Sequence, residues 1–216
     1  MFKKKPFFIV FEGVEGCGKS YQSRKLSQNL KKKGINSILT REPGGTKSAE
    51  IIRKVLLNDY FFKNPKEQFD KYTDTLLYLA ARNEHVKNKI RPALDKNKIV
   101  ICDRFTDSTI AYQVYGKKVK QDFINKIHKY ILHNIKPNIT FILKVSVKSS
   151  QKRLKKRKIK NRYDKFPQFF YSKAQQSFLK LAKNKKNYYV LDSSENNNIL
   201  ENKIFAIVKK SLNIKK

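Results

Sequence analysis

The chain has 216 residues, enough for one domain with a sizeable core and short for two. Its composition, 39% hydrophobic and 31% charged, is that of a globular protein, and no apolar run approaches the ~20 residues that cross a bilayer. The formal net charge of +33 has two readings. Lys, Asn, Ile, Phe and Tyr crowd the sequence and all have A/T-rich codons, so the charge reads as composition bias on a solvated surface. The other reading is a functional affinity for polyanions, nucleic acid among them. The lysines run along the whole length and gather in no single arm.

The first thirteen residues, MFKKKPFFIVFEG, superficially follow the order of a secretory leader. The apolar run is too short, ends in Glu12 and has no small-residue cleavage site, so no leader is expected. Cys17 and Cys102 have neither metal-site nor disulfide-framework spacing, which fits a reducing, cytoplasmic setting.

In chain order, PFFIVFEG reads as a buried strand and SYQSRKLSQNLKKKG as a helix stopped by Gly34. INSILT is a short strand, REPGGT a turn, and KSAEIIRKVLL a helix. NDYFFKNPKEQ is a loop. YTDTLLYLAARNEHVKNKIRPAL is a long helix, bent or ended near Pro92. Then follow the strand KIVICDR, the helix QDFINKIHKYILHNI and the strand ITFILKV. SSQKRLKKRKIKNRYDKFP is a basic stretch, QFFYSKAQQSFLKLAKN a helix, NYYVLDS a strand and NILENKIFAIVKKSL the last helix. Strands and helices alternate, and the strands are apolar throughout. That predicts α/β architecture: a five-stranded parallel sheet flanked by helices on both faces, as one domain over residues 1–216.

Directly after the first strand comes Gly13-Val14-Glu15-Gly16-Cys17-Gly18-Lys19-Ser20. It fits G-x-x-x-x-G-K-[ST], the P-loop, with strand before and helix after as the motif requires. Its glycines allow the backbone to turn successive N–H groups inward as an anion nest, and the helix that follows adds its positive end. Lys19 is expected to reach the β- and γ-phosphates of ATP, and Ser20 to ligate Mg²⁺. Glu15 inside a phosphate nest would repel the nucleotide, so it reads either as solvent-facing or as facing a second substrate. Cys17 reads as a small residue, with a reactive thiol as the sharper reading.

Three further segments narrow the class: REPGGT at 41–46, LAAR ending at Arg82, and DRFTDSTIAYQ from Asp103 to Gln113. With the P-loop, they resemble the thymidylate kinase family over nearly the whole chain. The resemblance implies a P-loop NTPase fold with a basic lid at about 153–166, and transfer of the γ-phosphoryl of ATP to dTMP. It implies that Tyr78 stacks on thymine, with Arg82 on the same helix face contacting the base or the monophosphate region. Arg53 and Arg104 lie near the acceptor phosphate, and Pro43 shapes the acceptor floor. Ser108, Thr109, Tyr112 and Gln113 line the thymidine pocket, Tyr112 against the deoxyribose. Asp103, at the end of its strand, would hold Mg²⁺ or its water alongside Ser20. The P-loop lacks an arginine, while Arg153, Arg157 and Arg162 fall in the lid, which resembles the bacterial branch; Arg157 is the first choice for the catalytic cation. Asn161-Arg162-Tyr163-Asp164 departs from the family's D-R-x-E, which bears on lid closure.

The implied partners are ATP and dTMP, with a homodimer as the family's usual state and no specific nucleic acid or membrane. The alternatives are another nucleoside monophosphate or deoxynucleoside kinase and, in a different class, a nucleic-acid-binding P-loop protein. The acceptor-side arginines favour a monophosphate. The absence of a basic arm or a known binding module counts against nucleic acid.

Overall fold

The computed structural model describes residues 5–58, 68–156, 166–194 and 197–214. Five parallel strands form one sheet in the order β2-β3-β1-β4-β5, with β1 Phe7–Glu12 at the centre. β3 Ile99–Asp103 and β4 Ile139–Lys144 flank it, and β2 Ser37–Arg41 and β5 Tyr188–Asp192 form the edges. Side chains alternate across the sheet, so β1 feeds both layers. Ile9 and Phe11 pack in one cluster with Leu26, Leu30, Phe141 and Phe178. Phe8 and Val10 pack in the other with Val86, Ile90, Val100, Cys102 and Phe105. The central strands are buried on both faces, as their sequences predict. The edge strands are not: Leu39 and Val190 are 38% and 45% exposed, because the helices cover the middle of the sheet and leave its margins to solvent.

α1 Lys19–Lys32 ends at Lys33, and Gly34 takes the left-handed turn that follows (φ 73°). α2 Lys47–Leu56 is capped by the Thr46 side chain, which accepts from the Ala49 N–H at 3.2 Å. α3 Lys71–His85 is capped likewise by Asp70. The long helix expected to bend or end near Pro92 ends at Asp95, three residues beyond it. Its irregularity lies upstream, as a π-helical turn at Val86–Ile90, and α4 Arg91–Asp95 carries Pro92 in its first turn, where its missing N–H is harmless.

After β3 come α5 Thr106–Thr109 and a second π-helical turn, Ile110–Gly116, neither of which the sequence signalled. α6 Gln121–Leu132 follows before β4. The basic stretch expected next begins as a helix, α7 Val147–Lys155, capped by Ser146. α8 Gln168–Ala182 and α9 Asn197–Ser211 complete the chain. The long loop's residues 59–67 and most of the expected lid lie outside the described residues.

Candidate active site

The carboxyl ends of β1, β2 and β3 open together onto one side, where ligands bind in open α/β sheets. β1 runs straight into the P-loop. Gly13, at φ 136°, sits so close to β4 that a Cβ would lie 2.6 Å from the Leu143 carbonyl. A Cβ on Gly16 would meet the Ser150 carbonyl of α7 at 2.7 Å. Ser150 Oγ donates to the Glu15 carbonyl at 2.6 Å, so α7 seats directly on the loop. Val14 and Cys17 turn their side chains into the core, at 1% and 0% exposure. They therefore offer a phosphate only their backbone, and Cys17 is packing, not an accessible thiol.

Lys19 Nζ donates to the carbonyls of Gly13 (3.0 Å) and Val14 (2.8 Å) and lies 3.6 Å from Cys17 Sγ. The ammonium is thus anchored across the loop by two strong bonds, and a phosphoryl oxygen competes only with a weak sulfur acceptor for its third hydrogen. Ser20 Oγ donates to Asp103 Oδ2 at 2.5 Å, bringing the expected metal pair together from α1 and β3. One hydroxyl and one carboxylate are hard oxygen donors suited to Mg²⁺, which binds through few protein ligands plus substrate phosphates. No cluster of three or more His, Cys, Asp or Glu able to hold a metal occurs among the described residues.

A cavity of about 430 Å³ runs from the P-loop to the turn after β2 and the segment after β3. Lys19, Ser20, Asp103 and Arg153 line one end; Pro43, Arg53, Tyr78, Arg82, Arg104, Ser108, Thr109, Tyr112 and Gln113 line the rest, with Glu15, Gly16 and Gly18 between. Sixteen of the predicted site residues thus meet in one space. Arg157 and Arg162 lie outside the described residues.

Glu15 faces inward and is fully committed. Arg104 Nη2 donates to its Oε1 at 2.7 Å and the Tyr112 hydroxyl to its Oε2 at 2.6 Å. Burial alone would raise this carboxyl, but Arg104 and Lys19, with the Tyr112 hydroxyl, bring it below the ordinary carboxylate range. Glu15 is therefore neither solvent-facing nor a loose charge beside the phosphates. Arg104 also donates to the Gly13 carbonyl and Ser108 Oγ, both at 3.0 Å, and its guanidinium stands 5.2 Å over the Tyr112 ring. Arg53 Nη1 donates to the Pro43 carbonyl at 2.7 Å, tying α2 to the cavity wall after the cis Glu42–Pro43 bond.

Arg82 lines the cavity and is also held by a buried network. Nε and Nη2 both meet Glu42 Oε2 at 2.7 Å. Nη1 donates to Thr109 Oγ1 (2.7 Å) and His128 Nε2 (2.9 Å), and Nη2 to the Phe105 carbonyl (2.8 Å). Four of the five guanidinium hydrogens make hydrogen bonds to protein acceptors and Nη2 also pairs with Glu42, so Arg82 walls the cavity with most of its donors engaged. Burial, then the Arg82 charge, pushes His128 down to about 3, which keeps it a neutral acceptor. His85 completes the network, its Nδ1 3.1 Å from Glu42 Oε1 and its Nε2 2.7 Å from Thr40 Oγ1.

Arg153 Nη1 donates to the Gly16 carbonyl (3.3 Å) and Nη2 to the Ser193 carbonyl (2.8 Å), tying α7 to the loop and to the segment after β5. It also borders a second, basic recess lined by Ser149, Lys152, Lys156 and Ser194. Sequence reasoning missed Glu42, Arg41, Tyr21 and Leu57 as cavity residues and His128 as a buried partner. Arg41 and Glu42 open the REPGGT motif and were within reach of it. His128 carried no local signal, because its partner lies 46 residues away.

The sequence profile of the thymidylate kinase family matches residues 11–204. This chain belongs to the thymidylate kinase family. It is 42% identical over 209 residues to the thymidylate kinase of Onion yellows phytoplasma, covering 95% of this chain and 96% of that one. It is 45% identical over 178 residues to that of Wolbachia pipientis wMel, covering 81% and 84%. The crystal structure of thymidylate kinase from Ehrlichia chaffeensis superposes with a TM-score of 0.75 at 31% identity, over 94% of this chain and 99% of that one. As a thymidylate kinase the chain is a nucleoside monophosphate kinase, a phosphotransferase that moves the γ-phosphoryl of ATP to dTMP and so yields dTDP and ADP for dTTP synthesis.

Proposed function

We propose that this cavity holds both substrates end to end, with ATP phosphates on the P-loop and dTMP against Arg104, Tyr78 and Gln113. The supporting observation is that one continuous space is walled by Lys19 and Ser20 at one end and by the acceptor-side residues at the other. Phosphoryl transfer asks the protein chiefly for positioning and charge. Lys19, pinned by two carbonyls, bears on the transferring phosphoryl group. Arg104 and Arg53 take the acceptor phosphate; Arg104 is aimed there by its bonds to Gly13, Ser108 and Glu15. Mg²⁺ held at Ser20 and Asp103 would neutralise charge on the β- and γ-phosphates. The lid arginines Arg157 and Arg162, with Arg153, are proposed to add charge over the transferring group.

On the acceptor side the Tyr78 ring offers a stacking face for the pyrimidine. Gln113 is 2% exposed, and its Nε2 has no hydrogen-bond partner among the described residues. A buried amide donor without an acceptor is costly, and a base carbonyl supplies one. Ser108 and Thr109 line the sugar and base wall, and the Tyr112 ring, held by Glu15, leaves the 2′ position of a ribose crowded. Equilibrium binding of dTMP to Gln113→Leu tests the assignment. A lost bond of about 1–3 kcal/mol weakens binding about 5- to 150-fold. An affinity within twofold of wild type removes Gln113 from base recognition.

The proposed assembly is a homodimer. Ile51 and Val55 on α2 and Leu76 on α3 are 64%, 40% and 46% exposed on two helices packed together, an apolar surface suited to a second copy. Cytoplasmic residence is proposed on the two free, buried cysteines. No described helix is long and apolar enough to cross a membrane.

A further inference from the structure

β1 ends in a carboxyl group that phosphate binding leaves unused. Glu12 is 0% exposed and is absent from the cavity lining. Its Oε1 accepts from the backbone N–H of Phe105 at 2.8 Å and of Ser108 at 3.2 Å. Its Oε2 accepts from the Ser108 hydroxyl at 2.6 Å. All three donors belong to the segment that follows β3. That segment opens with Arg104 at φ 75°, a left-handed conformation unfavourable to any residue with a Cβ. The Arg104 N–H donates to the Phe11 carbonyl at 2.9 Å. The last two residues of β1 therefore clamp the turn, Phe11 through its backbone and Glu12 through its side chain.

Ser108 is the joint of this arrangement. A hydroxyl has one hydrogen, and Glu12 takes it. The oxygen's lone pairs are then left for Arg104 Nη1, which donates to it at 3.0 Å. Arg104 in turn carries the bonds to Gly13 and Glu15 that aim it into the cavity. We propose that Glu12 is a positioning residue for the acceptor phosphate, holding Arg104 and Ser108 in their working geometry without touching substrate. This rests on the reading of Arg104 as an acceptor-phosphate ligand.

The charge state of Glu12 matters to the clamp. Burial, and then the neighbouring Asp107, push its carboxyl up to about 7, against the Ser108 hydrogen bond and the Arg104 charge. The ionisable groups facing it are Asp107 and Arg104 from the segment after β3, Cys102 from β3 and Tyr188 from β5. A protonated Glu12 donates to Ser108 Oγ instead of accepting from it; the Ser108 hydrogen then loses its partner and only one lone pair remains for Arg104, which loosens the clamp.

Steady-state kinetics of Glu12→Gln, Arg104→Ala and the double variant, from pH 6 to 8.5, test the proposal. Glu12→Gln is expected to raise KM for dTMP about tenfold while KM for ATP moves less than twofold. The double variant should be no worse than Arg104→Ala alone, since Glu12 acts through Arg104. The wild-type rise in KM for dTMP as pH falls through 7 should exceed that of Glu12→Gln, in which only the substrate's own phosphate titrates. Additive effects, or a loss of kcat with both KM values unchanged, overturn the proposal. If Arg104→Ala leaves KM for dTMP unchanged, the reading of Arg104 fails instead. Should Glu12→Gln not fold, Glu12→Asp, which keeps the charge but shortens the reach, is read by the same KM split.

Discussion

Lys19 spends two of its three hydrogens on loop carbonyls, so its ammonium is fixed before any phosphate arrives. Catalysis by preorganised charge depends on that, because a cation that must be reoriented in the reaction loses part of its effect. Lys19→Ala should therefore lower kcat by about a hundredfold or more, measured by ADP release at saturating substrates. A kcat within threefold of wild type would remove Lys19 from the mechanism. At this scale the sequence was most legible where chemistry and spacing coincide. The P-loop motif and its strand–helix context could be read directly, and the proximity of Ser20 and Asp103 agrees with the pairing expected of them. Arg82 was not legible in the same way. Its type suits a ligand and a scaffold equally, and only the geometry shows four of its hydrogens bonded to Glu42, Thr109, His128 and Phe105.

At the scale of elements, the buried network around Glu42 joins the turn after β2 to α3, to the turn after β3 and to α6. Burial would raise the Glu42 carboxyl, but the Arg82 charge and the His85 hydrogen bond bring it below the ordinary range. A depressed carboxyl contributes stability that is present above its unfolded value of ~4.3 and is lost as pH falls below it. Glu42→Gln leaves Arg82 with a neutral partner in the core, a loss of about 3–5 kcal/mol at neutral pH if the pair behaves as other broken buried pairs do. The expected signature is a lower Tm at pH 7 and a shallower fall of Tm between pH 5 and 3 than in wild type. An acid limb as steep as wild type would show that Glu42 does not set it. The strands and most helices were legible from apolar runs and stops. The π-helical turns were not, because the pattern of apolar residues at 110–116 differs little from that of an α-helix. Those turns nevertheless matter, since Tyr112 and Gln113 face the cavity from one of them.

At the scale of the whole molecule the question is the charge. Fifty basic residues against seventeen acidic ones spread like charge over the surface, and self-repulsion destabilises a compact state. Salt shortens the Debye length from about 10 Å at 0.1 M to about 3 Å at 1 M, so Tm should rise by several degrees over that range. A flat or falling Tm would show that the surface charges are already paired by local geometry. If one cavity holds both substrates, the γ-phosphoryl of ATP passes directly to thymidine monophosphate. The most direct test follows label from [γ-³²P]ATP into product with dTMP, thymidine, dCMP, dGMP and AMP as separate acceptors. Labelled dTDP is expected, with kcat/KM for dTMP at least about a hundredfold above thymidine and the purine monophosphates, since each unmatched buried polar group costs roughly 1–3 kcal/mol. Label released only as inorganic phosphate, or AMP accepted as readily as dTMP, would contradict it.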